Sequence, residues 1–290
     1  MYVKKSCRIH DKIEIEKHYD GRFGAPGMPR QPKKKKTPEE MAKQNFWRRC
    51  RELRRIIELN FGEGDWHVTL TCRKDERPSQ EEAVKIIRVF RDKLRAAYKK
   101  QEWELKYVIS CETGERGAVH WHMIINNMHN EETSTASIIR KLWARGRPYF
   151  SPLDGSGDYK ALAEYIIKES SRRMEKEETI EKLSYMVSRN LKRPVVQEEK
   201  VRASRWSRKP RAPEGWYLVE ESLVNGFNKF TGLPYQYYTI RRKEEQNADS
   251  RRLYRDGPER TGEGYRKSHV CHVDKVKKRK RERKQKDSRI

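Results

Sequence analysis

The chain has 290 residues, of which 34% are hydrophobic and 38% are charged, and its lysines and arginines outnumber its acidic residues to give a net charge of +25. This length can bury one moderate core and a smaller one. So large a positive charge predicts a polyanionic partner, above all nucleic acid. With no apolar run long enough for a membrane span and no signal-peptide pattern, the sequence excludes a membrane partner and predicts a cytoplasmic protein.

Up to about residue 100, the sequence predicts an arm followed by a helix, a strand and a second helix. Residues 1–36 are polar and end in four lysines, which indicates a mobile basic arm. A capping-box pattern begins a helix over residues 37–60. Residues 65–72 alternate apolar and polar side chains as a half-buried strand does, and a second capping box at residues 79–82 begins a long helix.

Residues 105–111 and 118–125 predict a hairpin, because both runs are rich in β-branched and aromatic residues and a glycine-containing turn joins them. Side chains alternate faces along a strand, so His120 and His122 point the same way. Folding the hairpin about its midpoint brings Glu112 beside His120. A carboxylate and two imidazoles on one face suit a divalent ion, although surface histidines and a solvated carboxylate would give the same pattern.

A helix around residues 137–145 and a short strand at 147–151 complete a β-α-β-β-α-β order. This order predicts an α+β fold of the ferredoxin-like type. Its antiparallel sheet can carry helices on one face and leave the other face open. The open face would display Thr69, Thr71, Glu112, His120 and His122.

Residues 158–168 have the periodicity of an amphipathic helix. Tyr159 belongs to its apolar stripe, whereas Tyr165 and Lys168 are three residues apart and lie on the opposite side. A tyrosine next to a cation is a plausible covalent nucleophile, because positive charge favours the phenolate. An ordinary surface helix with an exposed tyrosine and lysine is the alternative interpretation.

Three short motifs lie in order along the chain. They are Thr69-Leu70-Thr71, then Glu112 with His120-Trp121-His122, and then Tyr165-Ile166-Ile167-Lys168. In this order they resemble the motifs of the HUH endonucleases, and most closely those of single-tyrosine replication-associated (Rep) proteins of rolling-circle plasmids, integrative elements and single-stranded DNA phages. The resemblance covers roughly residues 37–240 and includes residues 188–194. Trp121 is bulkier than expected for the centre of its motif, but it points toward the core.

The resemblance implies an HUH endonuclease domain over residues 61–175. Glu112, His120 and His122 would hold one Mg²⁺ or Mn²⁺. Tyr165 would cut DNA by transesterification, keeping the 5′ phosphate and releasing a 3′ hydroxyl, and could later rejoin strands. Lys168 would lower the pKa of the tyrosine, orient a metal-bound water or neutralise transition-state charge.

The resemblance also implies partners. The substrate would be single-stranded origin DNA in the cytoplasm of a bacterial host, presented on a hairpin. The residues expected to contact it are Thr69, Thr71, Arg189, Lys192 and Arg193. The sequence has no P-loop, and we therefore expect a separate helicase, as well as a polymerase, from the host or the element.

The C-terminal third is harder to interpret. Residues 176–245 hold many aromatic side chains among arginines and predict a subdomain, with a helix over 176–191 and a strand near 235–242. Its aromatics would either stack on unpaired bases or form a satellite core. Residues 246–290 predict a disordered basic tail.

Two other classes of protein stay open from the sequence. A relaxase or transposase would use the same chemistry, and a non-catalytic protein binding single-stranded nucleic acid would share the charge and the aromatics. The scattered cysteines predict reduced thiols; Cys7 with His10, and Cys271 with its flanking histidines, lack a familiar zinc spacing.

Overall fold

The architecture is α+β, with two antiparallel five-stranded sheets and four helices in the part of the chain that the structure describes. The structure is a computed structural model, and it describes residues 1–19, 36–114, 118–176, 185–228 and 231–243. The fold class is therefore the one predicted. The helices are α1 (Pro38–Asn60), α2 (Gln80–Lys100), α3 (Thr135–Leu142) and α4 (Lys160–Lys176).

The sheet that we call the central sheet contains the predicted hairpin. Its strands are β3 (Trp66–Thr71), β4 (Tyr107–Thr113), β5 (Val119–Ile125), β6 (Tyr149–Pro152) and β7 (Met186–Val187). They lie in the order β6-β3-β5-β4-β7, and every pairing is antiparallel. The predicted alternation of strands and helices from residue 65 to residue 152 is thus confirmed.

The two faces of the central sheet carry different helices. One face buries Val68, Leu70, Trp121 and Met123 against α2 and α3. On the other face, Val108 and Ile124 pack in a second core with apolar side chains of α1 and α4. The sequence predicted α4 on this face but not α1, so the face is only partly open.

Both long helices begin where their capping boxes predict. Thr37 accepts a hydrogen bond from the Glu40 backbone N–H at 3.3 Å, and the Glu40 carboxylate accepts one from the Thr37 backbone N–H at 3.0 Å. Ser79 and Glu82 form the same reciprocal pair at the start of α2. These caps satisfy N–H groups that have no partner inside a helix, which explains why the local pattern located both starts correctly.

The second sheet, which we call the terminal sheet, joins the two ends of the described chain. Its strands are β1 (Tyr2–Ile9), β2 (Lys12–His18), β8 (Val196–Val201), β9 (Trp216–Phe227) and β10 (Pro234–Arg242). They lie in the order β8-β1-β2-β10-β9. The strand predicted near residues 235–242 is confirmed as β10.

The predicted mobile arm is wrong for residues 1–19, which form β1 and β2 in the interior of the terminal sheet. Their lysines and glutamates alternate with apolar side chains, and both edges of this hairpin pair with distant strands. Residues 20–35 lie outside the described residues. The predicted separate subdomain over 176–245 is also wrong, since β8, β9 and β10 share their sheet with β1 and β2.

Other C-terminal predictions have mixed outcomes. The helix predicted over 176–191 is wrong at residues 186–187, which form β7, and residues 177–184 lie outside the described part, as does the tail from residue 246. The aromatics that are described form a satellite core. Trp216 packs with buried Tyr238 and Ile240, and Trp206 stacks on Tyr19 at 4.9 Å.

Buried ion pairs connect the terminal sheet to α1. Glu14 on β2 is only 1% exposed and binds the guanidinium groups of both Arg54 and Arg55. Lys12 on the same strand lies 2.9 Å from Glu58, and both side chains are buried. Because a buried charge is costly without a partner, these pairs fix β2 against α1 in one register.

Among the helices of the described residues, none is both long and apolar enough to cross a membrane.

Candidate active site

The β4–β5 hairpin brings the predicted ligands to one face of the central sheet. Glu112 pairs directly with His120 across the two strands, as predicted. His122 lies two residues further along β5, and so its side chain is on the same face. Trp121, between the two histidines, is completely buried in the core on the other face.

Helix α4 brings Tyr165 to the same point. Its hydroxyl donates a hydrogen bond to Glu112 Oε2 at 2.6 Å and lies 3.3 Å from His122 Nε2. His122 Nε2 is itself 2.8 Å from the same Glu112 oxygen. The apolar stripe of α4 packs against α1 and the sheet, while Tyr165 remains 37% exposed at the edge of this contact. A hydroxyl, a carboxylate and an imidazole therefore converge where solvent and substrate can reach them.

A third histidine, His67, extends the cluster. Its Nε2 lies 3.3 Å from His122 Nδ1, and the two rings are nearly parallel with centroids 5.4 Å apart. Thr69 Oγ1 lies 3.4 Å from the same Nδ1. The outward alternation of β3 grouped His67 with Thr69 and Thr71, but its proximity to His122 follows from the pairing of β3 with β5, which no local pattern reveals.

The surroundings shift the pKa values of three groups. The hydrogen bond from His122 is the largest factor that lowers the pKa of Glu112, although burial opposes it. Burial lowers the pKa of His120, with Glu112 acting against it. Burial also lowers the pKa of His67 to about 4, helped by the nearby His122. At neutral pH the carboxylate is therefore ionised, and His67 and His120 are neutral.

The donor set suits a divalent ion, but the side chains do not enclose one as they stand. Glu112, His120 and His122 offer oxygen and nitrogen atoms of the kind that Mg²⁺, Mn²⁺ and related ions accept. Within the described residues, no three His, Cys, Asp or Glu side chains are already arranged around a common ion position. Glu112 Oε2 bonds His122 Nε2 directly, so an ion roughly 2.1 Å from each ligand would require the two side chains to separate.

The remaining predicted residues divide into two groups. Lys168 lies one turn beyond Tyr165 on α4 and is exposed, and the Thr71 hydroxyl donates to the Arg147 carbonyl at 3.1 Å. Both are on the side of the molecule that carries Tyr165. Thr69, through its contact with His122, belongs to the cluster itself.

Arg189, Lys192 and Arg193 are exposed but are not gathered around Tyr165. The preceding Ser188 bonds the backbone of Tyr107 at the start of β4, whereas Glu112 is near the end of that strand. Five residues of strand separate the two points, or roughly 16 Å.

Comparison with known proteins gives one match. Residues 65–170 match a family model described as a replication-associated protein, of the ORF2 group. The matched segment begins just before β3 and ends beyond Tyr165, so it contains every residue of the cluster described above. No curated protein and no solved structure matches the chain. The match supports a replication-associated protein.

Proposed function

We propose that this protein initiates rolling-circle replication by nicking single-stranded origin DNA with Tyr165. One observation carries the proposal. The Tyr165 hydroxyl, the Glu112 carboxylate and the His122 imidazole lie within 2.6–3.3 Å of one another, inside the segment that matches replication-associated proteins.

The reaction is a transesterification at one phosphodiester. The Tyr165 oxygen attacks the phosphorus, a bond forms between them, and the bond from phosphorus to the 3′ oxygen breaks. The DNA keeps a 5′ phosphate linked to the tyrosine and a free 3′ hydroxyl. Glu112 accepts the hydrogen bond from the Tyr165 hydroxyl, so it is placed to receive the phenolic proton. Because a phosphodiester is conserved, a 3′ hydroxyl can reverse the reaction and rejoin strands without ATP.

Glu112, His120 and His122 would hold Mg²⁺ or Mn²⁺, and Lys168 assists from the same helix as Tyr165. The ion supplies polarisation of the scissile phosphate and offsets negative charge in the transition state. His67 and Thr69 act through His122: they contact its Nδ1, and hydrogen bonds at the second ring nitrogen orient a ligating imidazole.

The partners follow from the reaction. The substrate is a single-stranded origin, presented on a hairpin, whose path runs along Thr69 and Thr71. A separate helicase unwinds the duplex and a polymerase extends the 3′ hydroxyl, both supplied by the bacterial host or by the element. The setting for this proposal is the bacterial cytoplasm.

The test is formation of a covalent adduct. The full chain is incubated with a diverse pool of labelled single-stranded hairpin oligonucleotides, with Mn²⁺ or with EDTA, and run on a denaturing protein gel. We expect a heat-stable adduct that needs metal and disappears in Tyr165→Phe. Tyr217→Phe is the matched control, because Tyr217 is an exposed tyrosine on β9 of the terminal sheet, and it should behave as wild type.

The outcomes separate the alternatives. If DNA is bound but never linked across a diverse pool, the nicking mechanism is wrong and a binding protein is favoured. An adduct that persists in Tyr165→Phe contradicts the assignment of the nucleophile. Rejoining that joins two different DNA molecules, rather than closing one circle, favours a relaxase or transposase.

A further inference from the structure

A second basic surface lies away from Tyr165. It is a groove of about 1240 Å³ between one flank of α2 and the segment 185–190, which we call the α2 groove. Five of its lining residues are cationic and one, Glu102, is acidic. The cationic residues are Arg88, Arg91, Arg95, Lys99 and Arg189.

Four of these cations form a stripe along α2. Arg88, Arg91, Arg95 and Lys99 follow the spacing i, i+3, i+7 and i+11, which places them on one flank of a helix. The buried stripe of α2, which includes Phe90, Leu94 and Tyr98, lies beside them and packs into the core. Core packing therefore does not explain the basic stripe.

The ion pairs of the stripe are surface pairs. Arg91 and Arg95 share one carboxylate, that of Asp92, at 2.8 Å and 3.4 Å. The Asp92 side chain is 55% exposed, and exposed pairs contribute little free energy. Arg189, on the opposite wall of the groove, is exposed as well. A polyanion can therefore compete for these cations at small cost.

The aromatic side chains of the groove are occupied elsewhere. Tyr98 is fully buried, and its hydroxyl donates to the Asn126 carbonyl at 3.0 Å. Trp103 packs edge-on against Tyr98, and Tyr107 is buried. The walls thus present guanidinium and ammonium groups more than open ring faces, which suits recognition of phosphates rather than stacking on bases.

We propose that the α2 groove binds the phosphate backbone of duplex DNA. The stripe from Arg88 to Lys99 spans eleven residues, or about 16 Å, over which one strand of a duplex presents roughly five phosphates. The groove exceeds the usual size of small-molecule pockets, about 300–1000 Å³, and is lined by charge rather than by apolar groups. Because α2 packs on the face opposite Tyr165, this surface is independent of the proposed nicking chemistry and stands even if that proposal fails.

The test compares two double variants of the full chain. Arg95→Glu with Lys99→Glu reverses two charges in the groove. Lys93→Glu with Lys100→Glu reverses two exposed charges on the other flank of the same helix. Both pairs change the net charge equally, and each removes one cation from the last turn of α2. Circular dichroism and thermal melting verify that both variants fold.

The measurement is fluorescence anisotropy of a labelled 30-base-pair duplex over a range of salt concentrations. We expect the groove variant to bind at least tenfold more weakly near 150 mM salt. The slope of log K against log salt should fall by about 1.8, or about 0.9 for each phosphate that the variant no longer neutralises. The control variant should stay within about threefold of wild type.

Three results would overturn the proposal. One is equal weakening in both variants, which would indicate a general effect of net charge. Another is unchanged binding in the groove variant. The third is a loss confined to a single-stranded oligonucleotide of the same sequence. If the Glu variants fail to fold, Arg95→Gln with Lys99→Gln against Lys93→Gln with Lys100→Gln gives the same comparison with half the charge change.

Discussion

Trp121 shows how one residue can serve the site without entering it. It lies between the two histidines of β5, is fully buried, and packs edge-on against Trp143 at 5.2 Å. Its indole N–H is buried, and within the described residues it has no hydrogen-bond partner. The size of the ring, rather than its polar atom, therefore fixes β5 against the helices behind the site.

This packing predicts an ordered mutation series. Trp121→Ala should lower the free energy of unfolding by about 3–5 kcal/mol, because it removes a large buried ring and leaves a cavity. Trp121→Phe should cost clearly less, since it retains most of the packing and removes the unpaired N–H. Urea unfolding measures both. Equal losses would show that the indole N–H, and not the volume, matters.

His67 is expected to position His122. His67→Ala should weaken Mn²⁺ binding by about 10- to 100-fold, the usual effect of removing a hydrogen-bond partner of a ligating histidine. Isothermal titration calorimetry measures this directly, without DNA. The control is His129→Ala, which removes an exposed histidine outside the cluster. Unchanged Mn²⁺ affinity in His67→Ala would contradict this role.

Sequence patterns predicted the facing of Glu112 and His120 but not the role of His67. A hairpin with a short turn fixes its own register, so the pairing of these two residues could be worked out from the chain. His67 meets His122 only because β3 lies next to β5, and about 50 residues of chain separate them. The contact between α4 and Glu112 is equally non-local, and only the family resemblance indicated it.

At the scale of elements, the β1–β2 hairpin and α1 depend on each other. The hairpin was missed because its strands read Tyr-Val-Lys-Lys-Ser-Cys-Arg-Ile and Lys-Ile-Glu-Ile-Glu-Lys-His, in which charge dominates. Three of those charges, on Lys12, Glu14 and Lys17, are in fact buried. The partners of Lys12 and Glu14 come from α1, a distant part of the chain, so composition alone indicated a solvated arm.

Substituting Glu14 should destabilise the protein far more than substituting Glu16 on the same strand. Glu14→Gln leaves two buried guanidinium groups without their carboxylate and should cost about 3–5 kcal/mol. Glu16→Gln breaks a pair with Arg51 in which both side chains are about a third exposed or more, and should cost less than about 1 kcal/mol. Urea unfolding at neutral pH compares them, and similar losses would contradict the argument.

The same pair of variants gives a pH dependence. Burial raises the pKa of Glu14, but Arg54 and Arg55 outweigh it, so the folded pKa lies below its ordinary value. Glu14 therefore stabilises the fold above the unfolded pKa, near 4.3, and this contribution is lost as the pH falls through the folded pKa. The acid decline of wild-type stability should be shallower in Glu14→Gln and unchanged in Glu16→Gln. The charged and titratable groups around Glu14 are Lys12, Arg54, Arg55, Glu58, Tyr237 and Cys7.

For the whole molecule, the family match is smaller than the folding unit. The match covers residues 65–170, yet the core beneath α4 is completed by Leu53, Ile56 and Ile57 of α1, none of which is exposed. Burying three such side chains contributes roughly 5–9 kcal/mol, which is comparable to the entire stability of many domains. The segment that carries the cluster therefore relies on a helix outside it.

A fragment of residues 65–170 should accordingly lack a cooperative thermal transition, while a fragment of residues 36–195 should have one. The longer fragment retains α1 and β7, and with them the complete central sheet. Circular dichroism melting of both fragments is the measurement. If the shorter fragment melts as sharply as the longer one and at a similar temperature, α1 is not needed for the fold.

The strand order of the terminal sheet has a consequence for biosynthesis. β1 and β2 leave the ribosome first, but their neighbours on either side are β8 and β10, which are made about 200 residues later. At typical rates of elongation the nascent hairpin waits on the order of ten to forty seconds with both edges unpaired. Exposed strand edges invite pairing with other chains during that interval. Slowing translation should therefore increase aggregation of this protein, and chaperones that bind its first residues should increase its yield.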